Sequence, residues 1–236
     1  MLWCLYLPEP FNPSNFLMKA PLPPDENERL HLLRLYRILD TASESAFDDL
    51  TRLAASICGV PISLVSLVDE ERQWFKSRYG LEATQTCRDA AFCGHAILHE
   101  EVLVVEDAAE DPRFVDNPLV TGEPKIRFYA GAPLQVESGH RFGTLCVIDT
   151  KPRKLTSQQL ESLEILRDAV ITQMEMRRSR EILQSLDEYL AMCAWCRSVR
   201  VEDEDGQQHW ESLDAYVSRA VPTTHGICPP CKDALH

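Results

Sequence analysis

The chain has 236 residues, 44% of them hydrophobic and 26% charged, with a formal charge of −13; that is room for one medium domain and a small appendage in a soluble globular protein. An acidic balance of this size disfavours nucleic acid as a partner, because affinity for a phosphate backbone rests on clustered Lys and Arg, and the short basic run Arg177, Arg178 and Arg180 fits the solvated face of a helix. No apolar run approaches the ~18 residues that a membrane span needs, and the apolar residues 2–7 lack the length and basic flank of a secretory signal, so the nine cysteines are read as reduced thiols of a cytoplasmic protein.

Residues 1–20 are expected to form a disordered N-terminal arm. Asp25 and Glu28 have the spacing of a helix capping box, and a helical pattern follows through Leu30, Leu33, Ile38 and Leu39. A second helix is expected from Ala46 through Ile57, with Phe47, Leu50, Leu53, Ala54 and Ile57 on one face and Gly59 and Pro61 ending it. Residues 62–68 are rich in Val, Ile and Leu and predict a strand, turned at residues 69–71 into a second strand over residues 73–79. An irregular stretch with Cys87 and Cys93 leads to a short helical segment at residues 96–98 and a strand over residues 102–106. After a turn or short helix at residues 111–114, two further strands are expected at residues 127–134 and 143–149, joined around Ser138 and Gly139. From Thr156 to about Tyr189 the spacing is helical, through Leu160, Leu163, Leu166, Val170, Met174, Ile182, Leu183 and Leu186. Its first half is expected to pack on the sheet of its own domain. The second half runs beyond what that sheet can cover and is assigned to a dimer seam, although the arginines interrupt the stripe.

The order helix, two strands, mixed middle, two strands, long helix predicts an α+β domain with an antiparallel sheet flanked by helices. Residues 21–180 resemble a GAF domain of the bacterial signalling type. The resemblance is carried by Glu28 to Leu30 with Arg37 to Thr41, Phe92 to Ile97, Asp111 to Phe114 with Asn117 to Leu119, and above all Arg127 to Leu134 and Gly143 to Asp149. It implies a PAS-like GAF domain over residues 21–176, a small-molecule pocket on one face, and dimerisation through terminal helices, here with a helical connector at residues 177–192. Members of that family host cyclic nucleotides, tetrapyrroles, haem or small metabolites. The order Cys93, Gly94, His95 departs from the Cys-His pair that anchors a bilin, and no match to the cyclic-nucleotide signature is present. Haem would draw an axial ligand from His95 or His99.

The candidate pocket residues are Trp74, Phe92, Cys93, His95, Arg127, Tyr129 and Asp149. Ordinary core packing explains the aromatics equally well, and surface salt links explain Arg127 and Asp149. Cys87, Cys93 and Cys146 fall in pocket-bearing segments, where a low-pKa thiolate would sense oxidants, and Arg88 would favour that form at Cys87 if the side chains meet. Small buried core residues are the competing reading.

Near the C-terminus, Cys193 and Cys196 form one C-x-x-C pair and Cys228 and Cys231 another, with residues 197–227 between them. Two such pairs supply the four thiolates of a closed tetrahedral zinc site. A segment of this size, residues 193–236, needs an internal staple because it cannot bury a sufficient core. His225 is an alternative ligand or a hydrogen-bonding neighbour of a thiolate. The stretch resembles a C-x-x-C…H-G-I-C-P-x-C element found after sensory domains of bacterial signalling proteins. An iron–sulfur cluster is the rival for four thiolates. The resulting expectation is a non-enzymatic signal-transduction sensor: a homodimer whose GAF domain binds a small molecule or senses redox state and passes the change through a helix to a zinc-stabilised module that meets a signalling partner. A dimeric adaptor without ligand is one alternative, and a redox enzyme of the methionine sulfoxide reductase type, whose motif is not matched, is another.

Overall fold

The computed structural model describes residues 19–187, 191–193, 195–203 and 207–220, and the chain divides into two compact units between Arg178 and Ser179. Residues 1–18 of the expected arm, and Cys228, Cys231 and His225 of the expected metal set, lie outside the described residues.

The first unit is built on one sheet. Its strands are β1 (Ile62–Val68), β2 (Arg72–Tyr79), β3 (Gln85–Cys87), β4 (Leu103–Val105), β5 (Phe128–Gln135) and β6 (Arg141–Asp149), in the spatial order β3-β2-β1-β6-β5-β4 with every neighbouring pair antiparallel. The four long strands are those whose β-branched and aromatic residues favour a pleated, half-buried surface. β1 and β6 lie at the centre and are buried along almost their whole length, as strands covered on both faces must be. Gly143 lies where β6 crosses beside the irregularity in β1: a Cβ there would stand 1.8 Å from the Ser66 carbonyl, so only glycine permits the approach.

Two helical layers cover the sheet unequally. On one face lie α1 (Glu26–Leu35), α2 (Ser45–Cys58) and α5 (Ser157–Asp187), whose Leu33, Phe47, Ala54, Leu163, Leu166, Val170 and Met174 pack with Val65, Leu67, Trp74, Phe128, Phe142 and Leu145. On the other, among the described residues, the helices are the short α3 (Phe92–Ala96) and α4 (Pro118–Thr121) with the loops around them, which contribute Phe92, Ile97, Phe114 and Val120 against Ile62, Leu64, Phe75, Tyr129 and Ile148.

The structure corrects several expectations. The capping box does not form: Asp25 precedes α1 without a side-chain cap bond, and its carboxylate lies 3.3 Å from His140 Nε2. On α2, Leu53 and Ile57 face solvent, while Thr51 is buried, its hydroxyl donating to the Phe47 carbonyl at 2.8 Å and meeting Ser77 Oγ at 2.8 Å. Gly59 ends that helix as expected, in the left-handed region at φ 63°. The short helix expected at residues 96–98 begins earlier, at Phe92. Arg180 is exposed as expected, but Arg177 and Arg178 are not part of a solvated face. Arg177 donates to Glu44 at 3.0 Å and to the Tyr36 carbonyl at 3.2 Å, and the Arg178 guanidinium lies 4.7 Å from the centre of the Tyr36 ring. They bind α5 to its own domain one turn beyond the last buried apolar residue.

In the second unit, β7 (Val199–Glu202) and β8 (Gln208–Glu211) form an antiparallel hairpin, followed by α6 (Leu213–Ala220). Ser212 caps α6, its hydroxyl accepting from the Ala215 N–H at 3.2 Å.

Candidate functional site

A cavity of about 280 Å³ opens on the α3 face of the sheet. Its position follows from helix length: α3 and α4 have five and four residues, too few to cover the end of the sheet where β1, β2 and β3 present Ile62, Leu64, Phe75 and Thr86. Phe92 and Cys93 from α3 and Leu119 and Ile126 from the α4 region close it from above.

The loops over the cavity are braced by residues that are not themselves all on its wall. Phe114 stacks on Phe92 with ring centres 4.0 Å apart and planes 10° from parallel, and His95 meets Phe114 edge-on at 4.9 Å. Asp111 holds the turn before Phe114 by accepting from the Arg113 N–H and Nε, each at 2.9 Å, and the Arg113 guanidinium keeps its carboxyl below the usual range. Asn117 caps α4 through the Leu119 N–H at 2.9 Å, and its amide donates to the Ala90 carbonyl at 3.0 Å. The aromatic and polar motif of residues 111–119 thus fixes α3 over the sheet.

The lining is mostly apolar, and its two charged members, Glu82 and Glu123, are both acidic. Gln73 and Thr86 face each other across β2 and β3. Neither Gln73 Oε1 nor Thr86 Oγ1 has a hydrogen-bond partner among the described residues, although both atoms are buried. A buried polar atom left unpaired costs about 1–3 kcal/mol, so two adjacent ones on a cavity wall are a departure from the ordinary rule of satisfaction.

Below the cavity lies a thiol cluster. Cys93 Sγ accepts from the Thr144 hydroxyl at 3.0 Å and the Tyr129 hydroxyl at 3.3 Å, and the Cys146 thiol hydrogen-bonds it as well. Burial works against a charged Cys93, but these donors outweigh it and lower its pKa; Cys146, buried and beside Cys93, is pushed up. Cys93 is therefore the member of the pair that ionises first.

Of the candidate pocket residues, Phe92, Cys93 and Tyr129 lie on the wall. Trp74 lies in the core on the opposite face of the sheet. His95 packs on Phe114. Arg127 is engaged by Asp107, with Nε to Oδ1 at 2.6 Å. Asp149 is buried beside Arg153 and accepts from the Lys151 N–H at 3.1 Å. Cys87 lines the cavity, whereas the Arg88 guanidinium goes to Glu26 at 2.5 Å and to the Asp69 carbonyl at 2.9 Å. Gln73 and Thr86 were not singled out by sequence. The available signal was the period of two along β2, which puts Gln73 and Phe75 on one face and Trp74 on the other.

In the second unit, Cys193 and Cys196 flank a tight knuckle. The Cys193 N–H donates to the Ser198 carbonyl at 2.7 Å, the Arg197 N–H donates to the Cys193 carbonyl at 2.9 Å, and Arg197 adopts φ 59°. The Ser198 hydroxyl lies 3.3 Å from Cys196 Sγ. Hydrogen bonds from that hydroxyl, the Ser198 N–H and Cys193 lower the Cys196 thiol to about 7. The described residues contain no group of three or more His, Cys, Asp or Glu placed to share an ion.

The GAF domain family profile matches residues 43–174. A cyclic di-GMP phosphodiesterase of Pseudomonas aeruginosa is 42% identical over 160 residues, which cover 67% of this chain but only 27% of that protein. The GAF domain of an Acinetobacter phosphoenolpyruvate-protein phosphotransferase superposes with a TM-score of 0.50 at 19% identity, covering 67% of this chain and 97% of its own, and so agrees in fold. With more than half of its length matched by the family profile, the chain belongs to the GAF family.

Proposed function

We propose that the chain is a sensory regulator whose GAF domain binds a small molecule and whose C-terminal unit is a zinc-held interaction module. The observation that supports the sensory reading most directly is the cavity whose wall holds the unpartnered Gln73 and Thr86. The likeness to a stretch of a cyclic di-GMP phosphodiesterase fits a regulatory setting, and this chain is proposed to act without turnover of its own. The signal would pass along α5 in a homodimer; Ile165 and Met176 on that helix are exposed apolar side chains available to a second copy.

The donor set of the second unit suits zinc. Two thiols already hydrogen-bonded across a C-x-x-C knuckle offer half of a tetrahedral S₄ site, with Ser198 steadying one of them. Cys228 and Cys231 would complete it, with His225 as the alternative or as a neighbour. Zinc in a closed site supplies folding energy rather than catalysis. Trp195 in the knuckle and Trp210 on β8 offer exposed aromatic surface to a protein partner.

Native mass spectrometry with elemental analysis of the full chain tests these statements together. The expected result is a dimer with one zinc per chain and a retained small molecule. Zinc-free protein purified without chelators overturns the metal reading, and an empty monomer overturns the dimeric sensor.

A second reading, redox sensing, is favoured by the contact of Cys93 with Cys146 at the cavity floor. A hydroperoxide would oxidise the Cys93 thiolate to a sulfenic acid, releasing the alcohol. Cys146 would then attack that sulfur, expel water and close a disulfide, the two thiols together supplying the two electrons that reduce the peroxide. Mass spectrometry after peroxide treatment should show loss of two hydrogens in the native chain and gain of one oxygen at Cys93 in Cys146→Ser. An unmodified Cys93 in both would exclude it.

A further inference from the structure

The cavity's chemistry narrows what it accepts, on the reading that it is the sensory site. Its charged lining groups, Glu82 and Glu123, are acidic, and no Lys, Arg or His is among its described lining residues. A phosphate or carboxylate entering it would give up water and meet only like charge. A volume of about 280 Å³ lies just below the range of about 300–1,000 Å³ typical of sites for drug-sized ligands. Phe75 and Phe92 offer apolar aromatic surface. Against this background Gln73 and Thr86 are informative. They are neighbours in register across β2 and β3, Gln73 is 6% exposed, and Gln73 Oε1 and Thr86 Oγ1 are both unpartnered. Cross-strand neighbours of this kind are close enough to address one small polar edge together. The terminal torsion of a glutamine is soft, so its carboxamide can turn to meet a donor.

We infer that the cavity takes a neutral, largely apolar molecule of modest size carrying an N–H or O–H donor, which Gln73 accepts while the Thr86 hydroxyl pairs with the same polar edge. A donor makes the bond that Gln73 Oε1 lacks, and a ligand with a second polar atom beside that donor also pairs the Thr86 hydroxyl, which gives the site selectivity for the donor and not merely for apolar bulk. Analogues that lack a donor leave the buried acceptor unpaired and are rejected.

Three probes of shared shape test the class by calorimetry on the full chain: indole, 1-methylindole and indole-3-carboxylate. Indole is expected to bind about tenfold more tightly than 1-methylindole, the factor that one buried hydrogen bond supplies, and indole-3-carboxylate is expected not to bind. Gln73→Leu should bring indole and 1-methylindole to the same affinity while the melting temperature does not fall, which separates recognition from folding. Preference for the carboxylate, or a preference for indole that survives Gln73→Leu, overturns the inference. So does failure of all three probes to bind. In that last case, a molecule retained in native mass spectrometry would preserve the sensory reading while sinking this ligand class.

Discussion

The two faces of the GAF sheet are made from the same strands yet solve opposite problems. The face under α1, α2 and α5 buries polar groups that are well paired around Lys76 and Thr51, although Ser63 Oγ, in register with Val147 on that face, has no partner among the described residues. Lys76, 2% exposed, donates to Thr41 at 2.8 Å, to the Ala42 carbonyl at 2.7 Å and to Glu44 at 2.6 Å. Thr51, Ser77 and Asp48 form a continuous chain of hydrogen bonds. The face under α3 and α4 has fewer polar groups, but Gln73 and Thr86 are unpaired beside a cavity. Long helices permit close packing, with one lone hydroxyl left unpaired; two short ones leave space and two adjacent unmade bonds together. Space and adjacent unmade bonds in one place are the ground on which the ligand site is proposed.

The largest test of that contrast is packing. Phe142 is fully buried on the closed face and meets Tyr36 edge-on at 4.9 Å. Phe142→Ala is expected to lower unfolding free energy by about 3–5 kcal/mol, because close-packed surroundings cannot collapse into the void. Phe75→Ala on the cavity wall should cost less, about 2 kcal/mol, since one side of that ring already lacks neighbours. Chemical denaturation of both variants checks this, and equal losses would mean that the two faces are packed alike.

A smaller effect is expected at the end of the closed layer, where Glu26 accepts from Arg29 Nε and Nη2, each at 2.8 Å, and from Arg88 at 2.5 Å. Arg29 is 1% exposed, so Glu26→Gln leaves a buried guanidinium without its counter-charge and should cost about 3 kcal/mol at neutral pH. Burial alone would raise the Glu26 pKa, but hydrogen bonds from the two arginines hold it below the ordinary 4.5. A carboxyl with a lowered folded pKa stabilises the fold fully above its unfolded value. That contribution is lost as pH falls from about 4.5 through the lowered folded value. Denaturation midpoints measured on descending pH should therefore drop in the native chain and drop less in Glu26→Gln.

How much of this was legible in the sequence depends on which interactions are local. β1, β5 and β6 announce themselves through β-branched and aromatic runs, and the αL glycine at position 59 marks its helix end. β3 does not: residues 85–87 form a strand only because Arg72, Gln73 and Trp74 pair with them. The capping box failed because Asp25 is drawn to His140, 115 positions away in sequence. On α2 a tertiary hydrogen bond buries Thr51, while Leu53 and Ile57 remain exposed. The site was half legible for the same reason. Aromatic and cysteine residues attract attention, which brought in Phe92, Cys93 and Tyr129, but also Trp74, whose strand position turns it the other way. Arg127 and Asp149 have the right chemistry for a ligand and are engaged by Asp107 and Arg153. Gln73 carries no motif at all; it becomes visible only when the unmade bond is visible.

The smallest effect is the sharpest, because its sign is opposite to that of most core substitutions. Gln73→Leu replaces an unpaired buried acceptor by a side chain of similar size and should stabilise the ligand-free chain by about 1 kcal/mol. Thr86→Val does the same for the second atom. Because the two residues are adjacent in register, the double variant is not expected to be the sum of the singles. A substitution of equal reach at Lys76 on the closed face has no such reserve, since the bonds around Lys76 and Thr51 are already made. Lys76→Met should accordingly destabilise by removing the donor to Thr41 Oγ1 and the Ala42 carbonyl and leaving Glu44 to Arg177. If Gln73→Leu also destabilises the chain without ligand, the cavity wall is as well satisfied as the closed face, and the difference between the two faces is one of space alone.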